Sequence, residues 1–105
     1  MTNKRLVLTT TASLEEAKKV ARALVESRLA ACVNILPKIE SMYRWEGKVE
    51  EAQEYLLLIK TTAGAFPAVR EKIQQLHSYD VPECIAISVE EGSPSYLKWI
   101  EDSVR

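Results

Sequence analysis

Long apolar runs are missing from this sequence. No stretch approaches the ~20 apolar residues that a membrane-spanning helix requires. Behind Met1-Thr2-Asn3-Lys4-Arg5 comes only Leu6-Val7-Leu8, too short for the core of a secretory signal. That pattern speaks against a membrane role and makes a cytoplasmic address the expectation. Cysteine is scarce: Cys32 and Cys84 stand far apart with no CxxC, so in a reducing compartment they read as two buried thiols, not a zinc cage or a disulfide. Histidine occurs once, at His77, and glycine three times, at Gly47, Gly64 and Gly92. With so little of either, a glycine-rich phosphate loop, a GxSxG turn and a Ser/His/Asp set are all absent. A strong charge of one sign is also lacking, since 14 basic residues face 15 acidic ones. A protein that lives by phosphate contacts shows a basic face, so nucleic-acid binding is not expected.

What remains is one domain's worth of chain, residues 1–105, with 47% hydrophobic and 28% charged residues. Those are the proportions of a globular protein with a real core. The glycines fall between periodic segments and punctuate the chain. Residues 4–10 form a short β-prone run. Ser13-Leu14-Glu15-Glu16 has the form of a capping box, in which the Ser13 hydroxyl takes the Glu16 amide and Glu16 reaches back. Leu14, Ala17, Val20, Ala21, Leu24 and Val25 then mark one helical face through about Arg28.

From Ala31 the period changes to two. Residues 32–36 read as a strand, bent at Pro37 and resumed by Ile39, Ser41, Tyr43 and Trp45 on one face. Trp45-Glu46-Gly47-Lys48 is a tight hairpin turn, and residues 49–62 return as a long strand. A second helix runs from about Ala65 to His77, with Pro67 in its first turn. Residues 78–82 form a loop, and residues 84–90 the last strand. Ser93-Pro94 opens a terminal helix carrying Tyr96, Leu97, Trp99 and Ile100.

The order is α+β: a ferredoxin-like βαββαβ with an extra C-terminal helix, a long central β-hairpin and one antiparallel sheet. Two helices cover one face of such a sheet, and the other face should be polar. Here it is not. Leu57 and Ile59 oppose Leu56 and Leu58, and Val7 opposes Leu6 and Leu8. Both faces need cover, which predicts a partner subunit. The hairpin arms are far longer than ordinary strands, and a projecting two-stranded ribbon is marginal by itself. A closed ring of copies would make use of it.

Several dispersed segments carry a resemblance. They are Glu26-Ser27-Arg28-Leu29-Ala30-Ala31-Cys32-Val33-Asn34, Tyr43-Arg44-Trp45-Glu46-Gly47, Lys60-Thr61-Thr62, residues 77–83 (His77-Ser78-Tyr79-Asp80-Val81-Pro82-Glu83) and Tyr96-Leu97-Lys98-Trp99. In this order, and essentially end to end, the chain resembles the CutA family of divalent-cation tolerance proteins. The resemblance implies a homotrimer similar to PII signalling proteins and a role in tolerance of copper and other divalent metals. Copper-binding members carry a cysteine near the end of the first strand and two adjacent histidines closing the second helix. The matching positions here are Thr9, Leu76 and His77, so the resemblance leaves His77 as the one metal ligand and implies weak copper binding.

Single residues admit two readings each. His77 is a helix-end cap or a ligand. Cys32 is a small buried hydrophobe or a thiol donor. Lys60 either marks a strand's emergence into solvent or binds an anion in an intersubunit cleft with Trp45, Tyr79 and Glu83. Glu50, Glu51 and Glu54 are a solvated face or a weak site for hard cations. The functional expectation is a non-enzymatic homotrimer linked to divalent-metal tolerance. The alternative is a PII-like sensor whose clefts take a small anionic ligand.

Overall fold

A computed structural model describes residues 2–105. The elements are β1 (Lys4–Thr11), α1 (Leu14–Glu26), β2 (Cys32–Trp45), β3 (Lys48–Thr62), α2 (Phe66–Leu76), β4 (Ile85–Ser88) and α3 (Pro94–Ser103). The four strands form one sheet in the order β2-β3-β1-β4, every neighbouring pair antiparallel. This is the ferredoxin-like arrangement with an added helix, as the sequence pattern predicts.

Alternation along the strands sets the two faces. Val7↔Ile59 and Thr9↔Leu57 are cross-strand pairs under the helices, and all four residues are fully buried. From α1, Ala17, Val20 and Leu24 descend onto them, and Val69 and Ile73 come from α2. The opposite face carries Leu6, Leu8, Leu56 and Leu58, half-buried, with Leu36, Ile85 and Ile87 exposed at its two edges. Helices α1 and α2 pack on the other side of the sheet, and α3 reaches this face at its lower end, where Glu101 pairs with Lys4.

Local chemistry decides where elements stop. Ser13 caps α1, its Oγ accepting the Glu16 amide at 3.1 Å. The reciprocal half of the expected box is not made. The Glu16 carboxylate instead accepts from the Ser78 amide at 2.7 Å and the Ser78 hydroxyl at 3.2 Å, which ties α1 to the loop after α2. Helix α1 ends at Glu26, short of Arg28, because Ser27 folds its hydroxyl back onto the Ala23 carbonyl and Arg28 takes a left-handed φ of 62°. The amides of Leu29 and Ala30 then both turn back to Leu24. The last strand is also shorter than residues 84–90, because its pairing with β1 runs only from Leu8↔Ile85 to Arg5↔Ser88. Ser93 sits at the N-cap of α3 without a side-chain cap hydrogen bond.

The hairpin is the outstanding length. The β1–β3 register ends at Thr11↔Tyr55, so residues 48–54 of β3 and their partners Ile39–Trp45 run on as a bare two-stranded arm. The molecule measures 44 × 25 × 23 Å in consequence. At the tip, Glu46 and Gly47 both have positive φ (49° and 79°) between the paired Trp45 and Lys48, a two-residue turn whose twist suits the strands. Pro37 bends β2 without ending it. Between the pairs Leu36↔Leu56 and Ile39↔Glu54, Pro37 and Lys38 of β2 oppose the single Tyr55 of β3, with Lys38 at φ 56°, so the irregularity is a β-bulge. At the other end of the molecule, the Lys4 ammonium meets Glu101 of α3 at 2.6 Å. That hydrogen bond and charge hold the Glu101 carboxyl below its usual range.

Candidate functional site

Where β1 stops and the arm runs on, residues 77–84 cross the corner and leave a groove of about 870 Å³ between loop and hairpin. Trp45 and Tyr43 of β2, Glu54 of β3, and Tyr79, Asp80 and Glu83 of the loop line it. Three of the four cleft residues expected from the sequence therefore meet: Trp45, Tyr79 and Glu83. Lys60 does not join them. It lies on the open sheet face near the opposite end, paired across β3 with Cys32 and Leu6. Its ammonium is hydrogen-bonded to the Asn34 side chain and stands 4.0 Å from the Cys32 sulfur. The β3 residue that lines the groove, Glu54, is six residues further up the strand, roughly 20 Å at strand spacing.

The loop is held from below by His77. Its ring is buried, and both nitrogens are committed. Nδ1 accepts the Tyr79 amide at 3.1 Å, so Nε2 carries the proton and donates to the Thr10 carbonyl at 2.6 Å. This extended cap position makes His77 a clamp between α2 and β1, with the Glu16 carboxylate 4.0 Å from Nδ1. The clamp aims Tyr79, whose ring lies 4.6 Å from the imidazole. The Tyr79 hydroxyl donates to Glu54 Oε2 at 2.7 Å. Burial, that hydrogen bond, and the charges of Glu54, Tyr43 and Glu16 together push the phenol well above its ordinary 10.0. Glu54 itself is only 5% exposed. The Tyr79–Glu54 bond spans 25 positions, and nothing in the sequence pairs them; a carboxylate on a strand followed by an apolar run was the only available signal.

The donors do not fit a tight metal centre. Coordination at either nitrogen of His77 breaks a hydrogen bond that holds the loop. Thr9 presents a fully buried hydroxyl with no hydrogen-bond partner among the described residues, a neutral oxygen that first-row divalent ions bind weakly. Among the described residues no three His, Cys, Asp or Glu side chains of one chain come together around a common point. Burial raises the pKa of the Cys84 thiol, with smaller effects from Arg70 and Glu83, which disfavours thiolate chemistry there.

A ferredoxin-like sheet with an over-long hairpin, a bare apolar face and a groove at the hairpin's root defines a small class of proteins. The model of the CutA1 divalent ion tolerance protein family matches residues 5–103. The chain belongs to that family. It is 52% identical over 98 residues to the divalent-cation tolerance protein CutA of Thermus thermophilus, covering 93% of this chain and 95% of that one. It is 52% identical over 84 residues to mouse protein CutA, covering 80% of this chain but 48% of the mouse protein; the chain spans about half the length of such animal relatives. The solved Thermus thermophilus divalent cation tolerance protein superposes with a TM-score of 0.95 at 50% identity over 97% of this chain and 99% of that chain. The structure of CutA from Archaeoglobus fulgidus gives 0.94 at 42% over 97% and 99%. The latter is named a periplasmic protein, so family membership does not carry the cytoplasmic address expected from the N-terminus. No helix among the described residues is long and apolar enough to cross a membrane.

Proposed function

We propose that this chain works as a homotrimer in divalent-metal tolerance, without catalysis and without a resident metal centre. The observation that carries the reading is the open sheet face. Half-buried Leu6, Leu8, Leu56 and Leu58 form an apolar layer flanked by exposed Leu36, Ile85 and Ile87, the kind of contiguous apolar surface that marks an interaction site. Three such faces closed about an axis bury one another, and each bare arm, with Met42 69% and Val49 61% exposed, gains a neighbour to lie against.

Copper binding is weak in this reading, micromolar at best, about −8 kcal/mol. A small anion is not favoured in the groove, whose lining holds four carboxylates, Glu40, Glu54, Asp80 and Glu83, against the single cation Arg44. Light scattering on the purified protein tests the assembly: a threefold chain mass is expected at micromolar concentration. Leu58→Lys on the open face should reduce it to one chain with the helical signal retained. A single-chain mass for the unaltered protein would end the proposal. Titration calorimetry tests the metal, and nanomolar copper affinity would show that the donors were misjudged.

A further inference from the structure

The lower end of the open sheet face holds a pair of nucleophiles that the proposed function does not use. Cys32 opens β2, and Lys60 stands directly opposite it on β3. Residues opposed in this way on antiparallel strands keep their Cβ atoms about 5 Å apart. A lysine stem is long enough to carry its charge out to water. This one folds back, and Nζ comes to 4.0 Å from Cys32 Sγ. The Asn34 side-chain oxygen attends both groups: it accepts from the Lys60 ammonium and lies 3.9 Å from the sulfur. Strand register fixes the meeting, because a slip of one residue would send Lys60 to the helix-covered side.

Two further observations set this pair apart from an ordinary surface thiol. Lys60 makes no ion pair with Asp or Glu among the described residues, so no carboxylate competes for its nitrogen. Cys32 is half-buried and Asn34 beside it is exposed, so a small solute reaches the sulfur from the outer edge of the sheet, where β2 has no neighbour within the chain. The other cysteine is placed differently. The cation that acts on Cys84 is the Arg70 guanidinium, which stays protonated and is no nucleophile.

We infer that Cys32 and Lys60 form a reversible sulfur–nitrogen cross-link when the protein meets a hydroperoxide. In the first step a lone pair of Sγ attacks one peroxide oxygen and the O–O bond breaks. Sulfur gives up two electrons and the peroxide takes them. The departing hydroxide leaves as water with the thiol proton, and Cys32 becomes a sulfenic acid. In the second step the Lys60 ammonium gives one proton to water, and the lone pair of the freed amine attacks Sγ. The S–O bond breaks, hydroxide leaves as water with a second proton from the nitrogen, and an Sγ–Nζ bond remains. No outside electron acceptor is needed there. Sulfenic acids condense in the same way with thiols and backbone nitrogens; here the nitrogen in reach is a lysine's. A thiol reductant attacks the sulfur and returns both side chains. The link spans 28 positions and ties the base of the hairpin across its two strands. It does not rest on the assembly proposed above.

The test uses the full chain in its native assembly at neutral pH, with hydrogen peroxide as the oxidant and catalase to stop the reaction. Intact mass measured without reductant should show each chain lighter by two hydrogens, and dithiothreitol should restore it. In a tryptic digest the chain should stay uncut at Lys60, and the peptides carrying Cys32 and Lys60 should run as one species. Cys84→Ser should react as the parent does. Lys60→Arg keeps the charge and a donor for Asn34 but offers no nucleophilic amine. It should lose the cross-link entirely, and its Cys32 should gain oxygen instead. Four results overturn the inference: an unmodified Cys32 in the parent, a gain of oxygen there without the loss of hydrogen, a cross-link that survives in Lys60→Arg, or one that vanishes in Cys84→Ser, which would mark a disulfide.

Discussion

Strand β3 passes through two different environments, and the contrast between its halves is instructive. In the lower half, Leu57, Ile59 and Thr61 are fully buried beneath α1 and α2, between two neighbouring strands. In the upper half, Val49 is 61% exposed and the strand pairs only with β2. One continuous hydrogen-bonded ladder therefore serves two purposes. The base draws its stability from side chains packed within the chain, and the arm keeps apolar and aromatic side chains free for something outside it.

The largest test of this contrast is a pair of truncations. Ile59→Ala should lower unfolding free energy by about 2–5 kcal/mol, whereas Val49→Ala, on the arm, should stay within about 0.5 kcal/mol in the isolated chain. Urea denaturation of both variants checks it, in a background such as Leu58→Lys that separates folding from assembly. Equal losses would mean that the arm is part of the core.

A smaller effect is expected at the joint between the halves. Tyr79→Phe removes the donor to Glu54 and leaves a buried carboxylate acceptor unmet, which costs about 1–3 kcal/mol. The same substitution should change the alkaline limb. The Tyr79 pKa is raised by folding, so its stabilising contribution is complete below pH 10.0, the ordinary value, and is lost progressively as pH rises above it. Thermal melts from pH 8 to 12 should fall more gently beyond 10 in Tyr79→Phe than in the parent. An unchanged alkaline slope would show that the phenol is not held as described.

The smallest expected effect lies within the base and has the opposite sign. Thr9 Oγ1 is buried without a partner among the described residues. Thr9→Val exchanges that hydroxyl for a methyl of similar shape and should stabilise by about 1 kcal/mol. A loss instead would point to a hydrogen bond that the hydroxyl makes in the assembled protein.

Much of the fold was legible because it rests on period and punctuation. Alternation in Leu56-Leu57-Leu58-Ile59 gave both sheet faces, Ser13 gave the start of α1, and Glu46-Gly47 gave the turn. Features governed by distant partners were not legible. Glu16 looked like half of a capping box, but its carboxylate is taken by Ser78, 62 positions away. The residues of the groove were legible in part: Trp45, Tyr79 and Glu83 stood in the recognised segments, but sequence adjacency says nothing of which strand end Lys60 occupies, and Glu54 read as solvated until the loop was seen to cover it. His77 was visible as a helix end, while its buried hydrogen bond to Thr10 depends on how α2 and β1 are set side by side.

The bulge at Pro37 and Lys38 fixes the phase of everything beyond it. Below it, Val33 and Ile35 of β2 share the helix-covered face with Ile59 and Leu57; above it, Ile39 pairs with Glu54 and Tyr43 with Glu50, on the face that also carries Leu56 and Leu58. One extra residue has therefore exchanged odd for even along the arm. Loss of a single codon there would turn the bulge into regular ladder and leave Ile39 opposite Glu54, with Tyr43 and Trp45 still on the Glu54 side; loss of a single codon between Ile39 and Tyr43 would instead send both aromatic residues to the far side of the ribbon, because side chains alternate with a period of two. Loss of two codons elsewhere in the arm of β2 would preserve the phase. Along the arm, length variation is thus tolerable in steps of two before it is tolerable in steps of one, and the bulge is the place where a single step keeps the phase.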